Sequence, residues 1–125
     1  MAIEAPSGAT VSFRTYQLLI EIAAPVRVAI GRFGVFDFPA GLYCYTGSAR
    51  RNLEARIRRH LVREKRLRWH IDYLLAAADV KIVEVRRYSG AECAINQRTA
   101  GCIPVPGFGA SDCRQACGSH LKRIG

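Results

Sequence analysis

Hydrophobic and polar residues alternate along five short stretches of the chain, a spacing typical of strands that bury one face. The first stretch, residues 11–22, predicts a strand. Residues 26–30 and 35–38, separated by a glycine-containing turn, predict a hairpin. Residues 42–46 predict the next strand and residues 80–86 a later one.

Three other stretches predict helices. Residues 52–63 carry an apolar stripe at helical spacing, formed by Leu53, Ile57 and Leu61. Residues 69–78 are apolar around most of a helical circumference, which predicts a buried helix, and residues 89–99 predict a third helix. The expected fold class is α+β, with a small antiparallel sheet of about three strands plus an inserted hairpin, covered by about three helices.

The length of 125 residues fits one domain, which we expect over residues 13–125 after a flexible tail at residues 1–12. No apolar run is long enough to span a membrane, and the start of the chain lacks the pattern of a signal peptide. We therefore expect a cytoplasmic protein with no membrane partner. The odd number of cysteines, five, favours reduced thiols over a disulfide framework.

Positive charge is concentrated in one part of the chain. The net charge is +9, and residues 50–68 contain nine Lys or Arg against two Glu. A solvated helix face is the simple explanation, but such clustering favours an anionic partner, with DNA ahead of RNA or a membrane surface. The cations expected to bind nucleic acid are Arg14, Arg50, Arg51, Arg58, Arg59, Arg63, Lys65 and Arg66.

Several motifs together resemble those of a known superfamily. Residues 41–49 (GLYCYTGSA) run directly into the basic helix, and residues 67–75 (LRWHIDYLL), Glu92-Cys93 and residues 108–113 (FGASDC) follow. This order resembles the GIY-YIG nucleases, and most closely a branch of them known as DUF123. The resemblance implies an endonuclease that cleaves DNA. Members joined to endonuclease III-type DNA glycosylases further imply a role in DNA repair.

The resemblance also assigns roles to individual residues. Tyr16 stands at the tyrosine of the first motif, and Tyr45 and Gly47 stand at the outer positions of the second. The implied catalytic residues are Tyr16, Tyr45, Arg56, His60 and Glu92. The chain departs from the superfamily at Arg14, in place of a glycine, and at Thr46, in place of an isoleucine. Ser111 or Asp112 is the nearest candidate for its late asparagine.

Under this hypothesis Glu92 would hold one Mg²⁺ or Mn²⁺, because these ions prefer carboxylate oxygen. Tyr16 would accept a proton from the attacking water, and Arg56 would bind the phosphate. Each assignment has a structural alternative. In the structural alternative, the tyrosines and His60 are packed residues with no part in catalysis. Glu92 has two alternatives: it closes a helical capping box with Ser89, or it forms an ion pair with Arg56.

Cys113, Cys117 and His120 suggest a zinc site, but their spacing is unusual and buried thiols are the more common outcome. Three functions therefore compete: a metal-dependent endonuclease, a non-catalytic nucleic-acid-binding module of the same fold, and a zinc-stabilised protein-interaction domain. The endonuclease is the leading hypothesis. The sequence indicates neither the substrate structure nor the oligomeric state.

Overall fold

The computed structural model describes residues 13–49, 51–62, 65–109 and 118–125. Six strands and three helices follow one another in this part of the chain. They are β1 (Thr15–Ile22), β2 (Val26–Ile30), β3 (Gly34–Phe38), β4 (Gly41–Ser48), α1 (Leu53–Leu61), α2 (His70–Leu75), β5 (Val80–Tyr88), α3 (Glu92–Arg98) and β6 (Leu121–Arg123). The predicted α+β class with antiparallel sheets is confirmed.

The larger sheet has four antiparallel strands in the order β5-β1-β4-β6, and β2 and β3 form a separate two-stranded sheet. The expectation of about three strands missed β6. That strand has only three residues, which is too few to give an alternating pattern. It is held by pairing Leu121–Arg123 with residues 43–45 of β4.

Both faces of the larger sheet are covered. On one face, β1 and β4 present Tyr16, Leu18, Ile20 and Tyr43 to a core completed by α1, α2 and the hairpin. On the other face, α3 packs over Gln17 and Thr46, which explains why seven of the eight β1 residues are buried. The strand prediction assumed a single buried face and did not anticipate this second layer.

Helix α1 differs from its prediction in one informative way. It begins after Asn52, whose side chain accepts a hydrogen bond from the Ala55 amide, and it ends at Leu61. Leu61 was expected in the core but is 52% exposed, whereas His60 is only 3% exposed. At about 100° per residue, His60 lies about 20° from Leu53 around the helix and Leu61 about 80° away. The buried face of α1 is therefore formed by Leu53, Ile57 and His60.

The other two helices are shorter than predicted. α2 ends at Leu75, and α3 begins at Glu92, with Ala91 as its N-cap residue. The proposed capping box between Ser89 and Glu92 is therefore wrong, because Glu92 occupies the first position of the helix and not the third. None of the helices in the described ranges is both long enough and apolar enough to cross a membrane.

Candidate active site

Tyr16 and His60 form a buried pair where β1 begins and α1 ends. The Tyr16 hydroxyl lies 2.5 Å from His60 Nε2, and the two rings are 5.4 Å apart between centroids. Tyr16 is 1% exposed. The other ring nitrogen, His60 Nδ1, is also buried and has no hydrogen-bond partner among the described residues. The imidazole thus contacts the phenol through one nitrogen only.

Gly47 makes room for this pair. It lies directly opposite Tyr16 across the β1–β4 ladder. A Cβ atom at position 47 would lie 2.5 Å from the Tyr16 hydroxyl oxygen and 2.6 Å from the ring carbon that bears it. Real Cβ contacts are essentially never that short, so the position of Tyr16 requires a glycine opposite it.

Tyr45 lies on the same face of β4, two residues before Gly47. Its ring centroid is 6.5 Å from that of Tyr16 and 6.1 Å from that of His60. Phe108 packs edge-on against it from the other side, with a centroid distance of 6.4 Å. The two tyrosines and the histidine therefore form one aromatic cluster.

Arg56 lies at the edge of this cluster, one turn before His60 on α1. Its Nη1 donates to the Ser48 carbonyl at 2.6 Å, which fixes the guanidinium against the end of β4. Its guanidinium carbon also lies 4.8 Å from the centre of the Trp69 ring. The backbone contact and the cation–π contact together hold a half-exposed cation in one orientation.

A second cation, Arg59, holds the neighbouring helix in place. It donates to both oxygens of Asp72, at 2.8 and 3.0 Å, and packs on Trp69 at 4.3 Å. Asp72 is fully buried and also accepts from the Arg68 and Trp69 amides at the start of α2. This network fixes Trp69 beside Arg56.

Glu92 is the first residue of α3. Its carboxylate lies 2.7 Å from Nδ1 of His120, a residue that is 1% exposed. Burial by itself would raise the pKa of Glu92, but hydrogen bonds from His120 and Ser48 hold it below its usual range. Glu92 is therefore ionised at neutral pH. The alternative ion pair with Arg56 is not present among the described residues.

Long-range electrostatics link Glu92 to the aromatic cluster. The charges of Arg56 and Glu92 both act on the pKa values of Tyr16 and Tyr45, Arg56 lowering them and Glu92 raising them. Burial is the larger effect, and it raises the pKa of both phenols far above 10, so both are protonated. Burial, assisted by the Lys65 charge, lowers the pKa of His60 to about 4. The cluster therefore contains neutral phenols and a neutral imidazole.

The predicted nucleic-acid-binding cations divide into two groups. Lys65 and Arg59 are engaged within the fold, Lys65 with three carbonyl oxygens at the end of α1 and Arg59 with Asp72. Of the predicted set, the described members that are exposed to solvent are Arg14, Arg51, Arg58 and Arg66. Arg50 and Arg63 lie outside the described residues.

The metal predictions fall partly outside the described residues. Cys113, Cys117, Ser111 and Asp112 are not among them, and His120 pairs with Glu92. In the described part of the chain, no three His, Cys, Asp or Glu side chains form a group that could hold a metal ion together. Glu92, ionised and 26% exposed, is compatible with a Mg²⁺ ion that keeps most of its water and shares a substrate phosphate.

Comparison with known protein families gives one match, a domain of unknown function called DUF123, over residues 15–125. The chain therefore belongs to the DUF123 family. No curated protein and no solved structure matches it. The DUF123 match covers the strands and helices of the described residues and all five predicted catalytic residues.

The sequence prediction overlooked two residues of the candidate site. Trp69 was noted only as part of a motif, although it packs against both Arg56 and Arg59. His120 was considered only as a zinc ligand, although it contacts Glu92. A single Trp among clustered arginines was a usable signal for the first. No local signal connects His120 to Glu92, because 28 positions separate them.

Proposed function

We propose that this DUF123 protein is a GIY-YIG-type endonuclease that hydrolyses phosphodiester bonds in DNA, with repair as the biological setting. The observation that carries the proposal is spatial. Tyr16, Tyr45, Arg56 and His60 come from three separate elements and adjoin one another, and Glu92 lies within electrostatic range of both phenols. Phosphodiester hydrolysis needs a proton acceptor, a fixed cation and a metal-binding carboxylate, and these residues can supply all three.

His60 offers a solution to the high pKa of Tyr16. The buried phenol does not ionise alone, but the neutral imidazole 2.5 Å away can accept its proton through Nε2. In the proposed step, the attacking water transfers a proton to the Tyr16 oxygen as the phenol transfers its own proton to His60. For Nε2 to accept, Nδ1 must carry the proton in the resting tautomer, and because the pKa of His60 is about 4 the imidazolium is only a short-lived carrier of the proton.

Arg56 is the proposed phosphate-binding residue. Its guanidinium is held by the Ser48 carbonyl and by Trp69, so little reorganisation is needed when negative charge grows on the phosphate. Glu92 would hold a Mg²⁺ or Mn²⁺ ion. When bound, the ion would neutralise charge on the phosphate and lower the pKa of the attacking water.

The exposed cations supply the proposed contacts to the DNA backbone. Arg51 and Arg58 are solvent-exposed on or beside the helix that carries Arg56. Cations in this position would bind phosphates next to the cleaved one without reading the sequence. We expect a preference for substrate structure over base sequence.

A non-catalytic nucleic-acid-binding module is the second candidate. The contact between Glu92 and His120 favours it, because a carboxylate that is hydrogen-bonded to a buried imidazole can have a purely structural role. Under this alternative Arg56 and the exposed arginines would still bind phosphate, and no bond would be cleaved.

A cleavage assay separates the two candidates. Flaps, junctions, abasic duplexes and RNA would be incubated with Mg²⁺ or Mn²⁺ and with the variants Arg56→Gln, Tyr16→Phe and Glu92→Gln. We expect each variant to lose activity by about 100-fold or more while its circular dichroism is unchanged. Arg27→Gln is the matched control, because Arg27 contacts only Asp37 on the exposed hairpin. Tight binding without cleavage of any substrate would refute the endonuclease and support the non-catalytic binding module.

A further inference from the structure

A large cavity lies on the face of the sheet opposite to the aromatic cluster. Its volume is about 680 Å³, within the range of pockets that bind small molecules. Leu19 and Cys44 form its floor on the sheet, and Ile95 of α3 forms a wall. Tyr16 and Tyr45 point to the other face of the same strands, so the cavity is separate from the proposed catalytic site.

The polar part of this cavity is rigid. Gln17 donates to Thr46 and Thr99 and accepts from the Tyr88 hydroxyl at 3.0 Å, so its amide is held at both ends. These bonds link β1, β4, β5 and the end of α3. The wall therefore exists before any ligand arrives, which reduces the entropy lost on binding.

Positive charge surrounds the cavity. Arg86 and Arg98 line it, and among its described lining residues there is no Asp or Glu. Lys122 lies below α3, is only 8% exposed, and donates to the carbonyls of Asn96 and Thr99. The only carboxylate with which these cations pair among the described residues is Glu84, bound to Arg86 Nε.

The field of these cations reaches the cavity floor. Burial raises the pKa of the Cys44 thiol to about 11, and the charges of Arg86 and Lys122 act against that rise. The thiol is therefore neutral, and it offers a small apolar surface to the cavity. Three cations against one carboxylate leave a surplus of two positive charges, which matches a phosphate monoester at neutral pH.

We propose that this cavity binds a small organic phosphate of mononucleotide size, with the phosphate between Arg86 and Arg98 and the apolar body on Leu19, Cys44 and Ile95. The proposal does not depend on nuclease activity, because no residue of the catalytic cluster lines the cavity. Tyr88, whose ring also lines it, provides an aromatic surface for a planar body.

The test is calorimetric titration of the full chain with deoxyadenosine 5′-monophosphate, deoxyadenosine and inorganic phosphate. We expect the monophosphate to bind at least about tenfold more tightly than either part alone. Arg86→Gln and Arg98→Gln should each weaken it by about tenfold, since each removes a charge-assisted hydrogen bond. Arg27→Gln, an exposed arginine of the hairpin, should leave the affinity unchanged.

Amide chemical shifts locate the ligand. Binding should move the signals of Leu19, Cys44 and Ile95 and leave those of Arg56 and Trp69 in place. Three results would overturn the proposal: no binding at millimolar monophosphate, binding that moves the Arg56 and Trp69 signals instead, or equal affinity for inorganic phosphate. Each outcome is independent of whether the protein cleaves DNA.

Discussion

Replacing Gly47 with alanine tests the close approach on which the aromatic cluster depends. The new methyl carbon would lie 2.5 Å from the Tyr16 hydroxyl oxygen. Tyr16 is 1% exposed and its hydroxyl contacts His60, so the ring has no open space into which it can move. The methyl group must displace the phenol, and the contact with His60 is lost.

The expected cost has two parts. Overpacking a buried site by one methyl group costs about 1–3 kcal/mol. Separating the Tyr16 hydroxyl from His60 leaves a buried imidazole without its partner and adds about 1–2 kcal/mol. We therefore expect Gly47→Ala to lower the free energy of unfolding by roughly 2–5 kcal/mol, enough to measure in a domain that should remain folded.

Urea denaturation, followed by circular dichroism, measures this loss. Gly90→Ala is the matched control. Its Cβ would be tight only against the terminal carbon of Ile95, at 3.2 Å, and that flexible side-chain end can shift; the other neighbours, Ile95 Cγ1 and Arg98 Nη2, lie at 3.6 and 3.8 Å. We expect the control to stay within about 1 kcal/mol of the parent protein. If Gly47→Ala were as stable as Gly90→Ala, the proposed packing of Tyr16 against the β1–β4 ladder would be refuted.

Three further predictions concern charge. The pKa of His60 is lowered to about 4 in the folded chain, so as pH falls below 6.5 the unfolded chain binds a proton before the folded chain does. The free energy of unfolding, measured by urea denaturation, should therefore fall by up to roughly 3 kcal/mol between pH 6.5 and 4. The variant His60→Gln should not show this fall. Asp72→Asn should cost about 3 kcal/mol at pH 7, since it breaks a buried ion pair. The pKa of the native carboxylate is held below its usual value of 3.8, so the difference should shrink only as pH falls well below 3.8. Changing Arg51 and Arg58 to Gln should reduce the slope of log binding constant against log salt concentration by about one unit for each phosphate contact that is lost. An unchanged slope would show that these arginines contact no phosphate.

The secondary structure was largely predictable because its signals are local. Alternation identified β1 to β5. Helical spacing identified α1, an apolar circumference identified α2, and start and stop signals identified α3. The failures occur where no local signal exists. Three residues cannot show a period, so β6 was missed. The end of α1 was placed two residues too late. Leu61 was assigned to the core because it is apolar, whereas the buried position is that of His60.

The candidate site was predictable to a different degree for each residue. Motif order selected Tyr16, Tyr45 and Arg56, and the structure places them around one cluster. The protonation states were not predictable, because burial dominates them and burial depends on elements distant in sequence. Tyr16, which the sequence suggested as the proton acceptor, is a protonated phenol beside a neutral imidazole.

The sequence alone determined which residues form strands and helices, the surplus of positive charge and the set of candidate residues, since each depends on neighbours along the chain. Only the tertiary structure decided which residues meet. His120 beside Glu92, Gly47 beneath Tyr16 and the cavity between β5 and α3 all arise from strand pairing and layer packing. Contacts of this kind join residues that are tens of positions apart, and their energies depend on the burial that the complete fold provides.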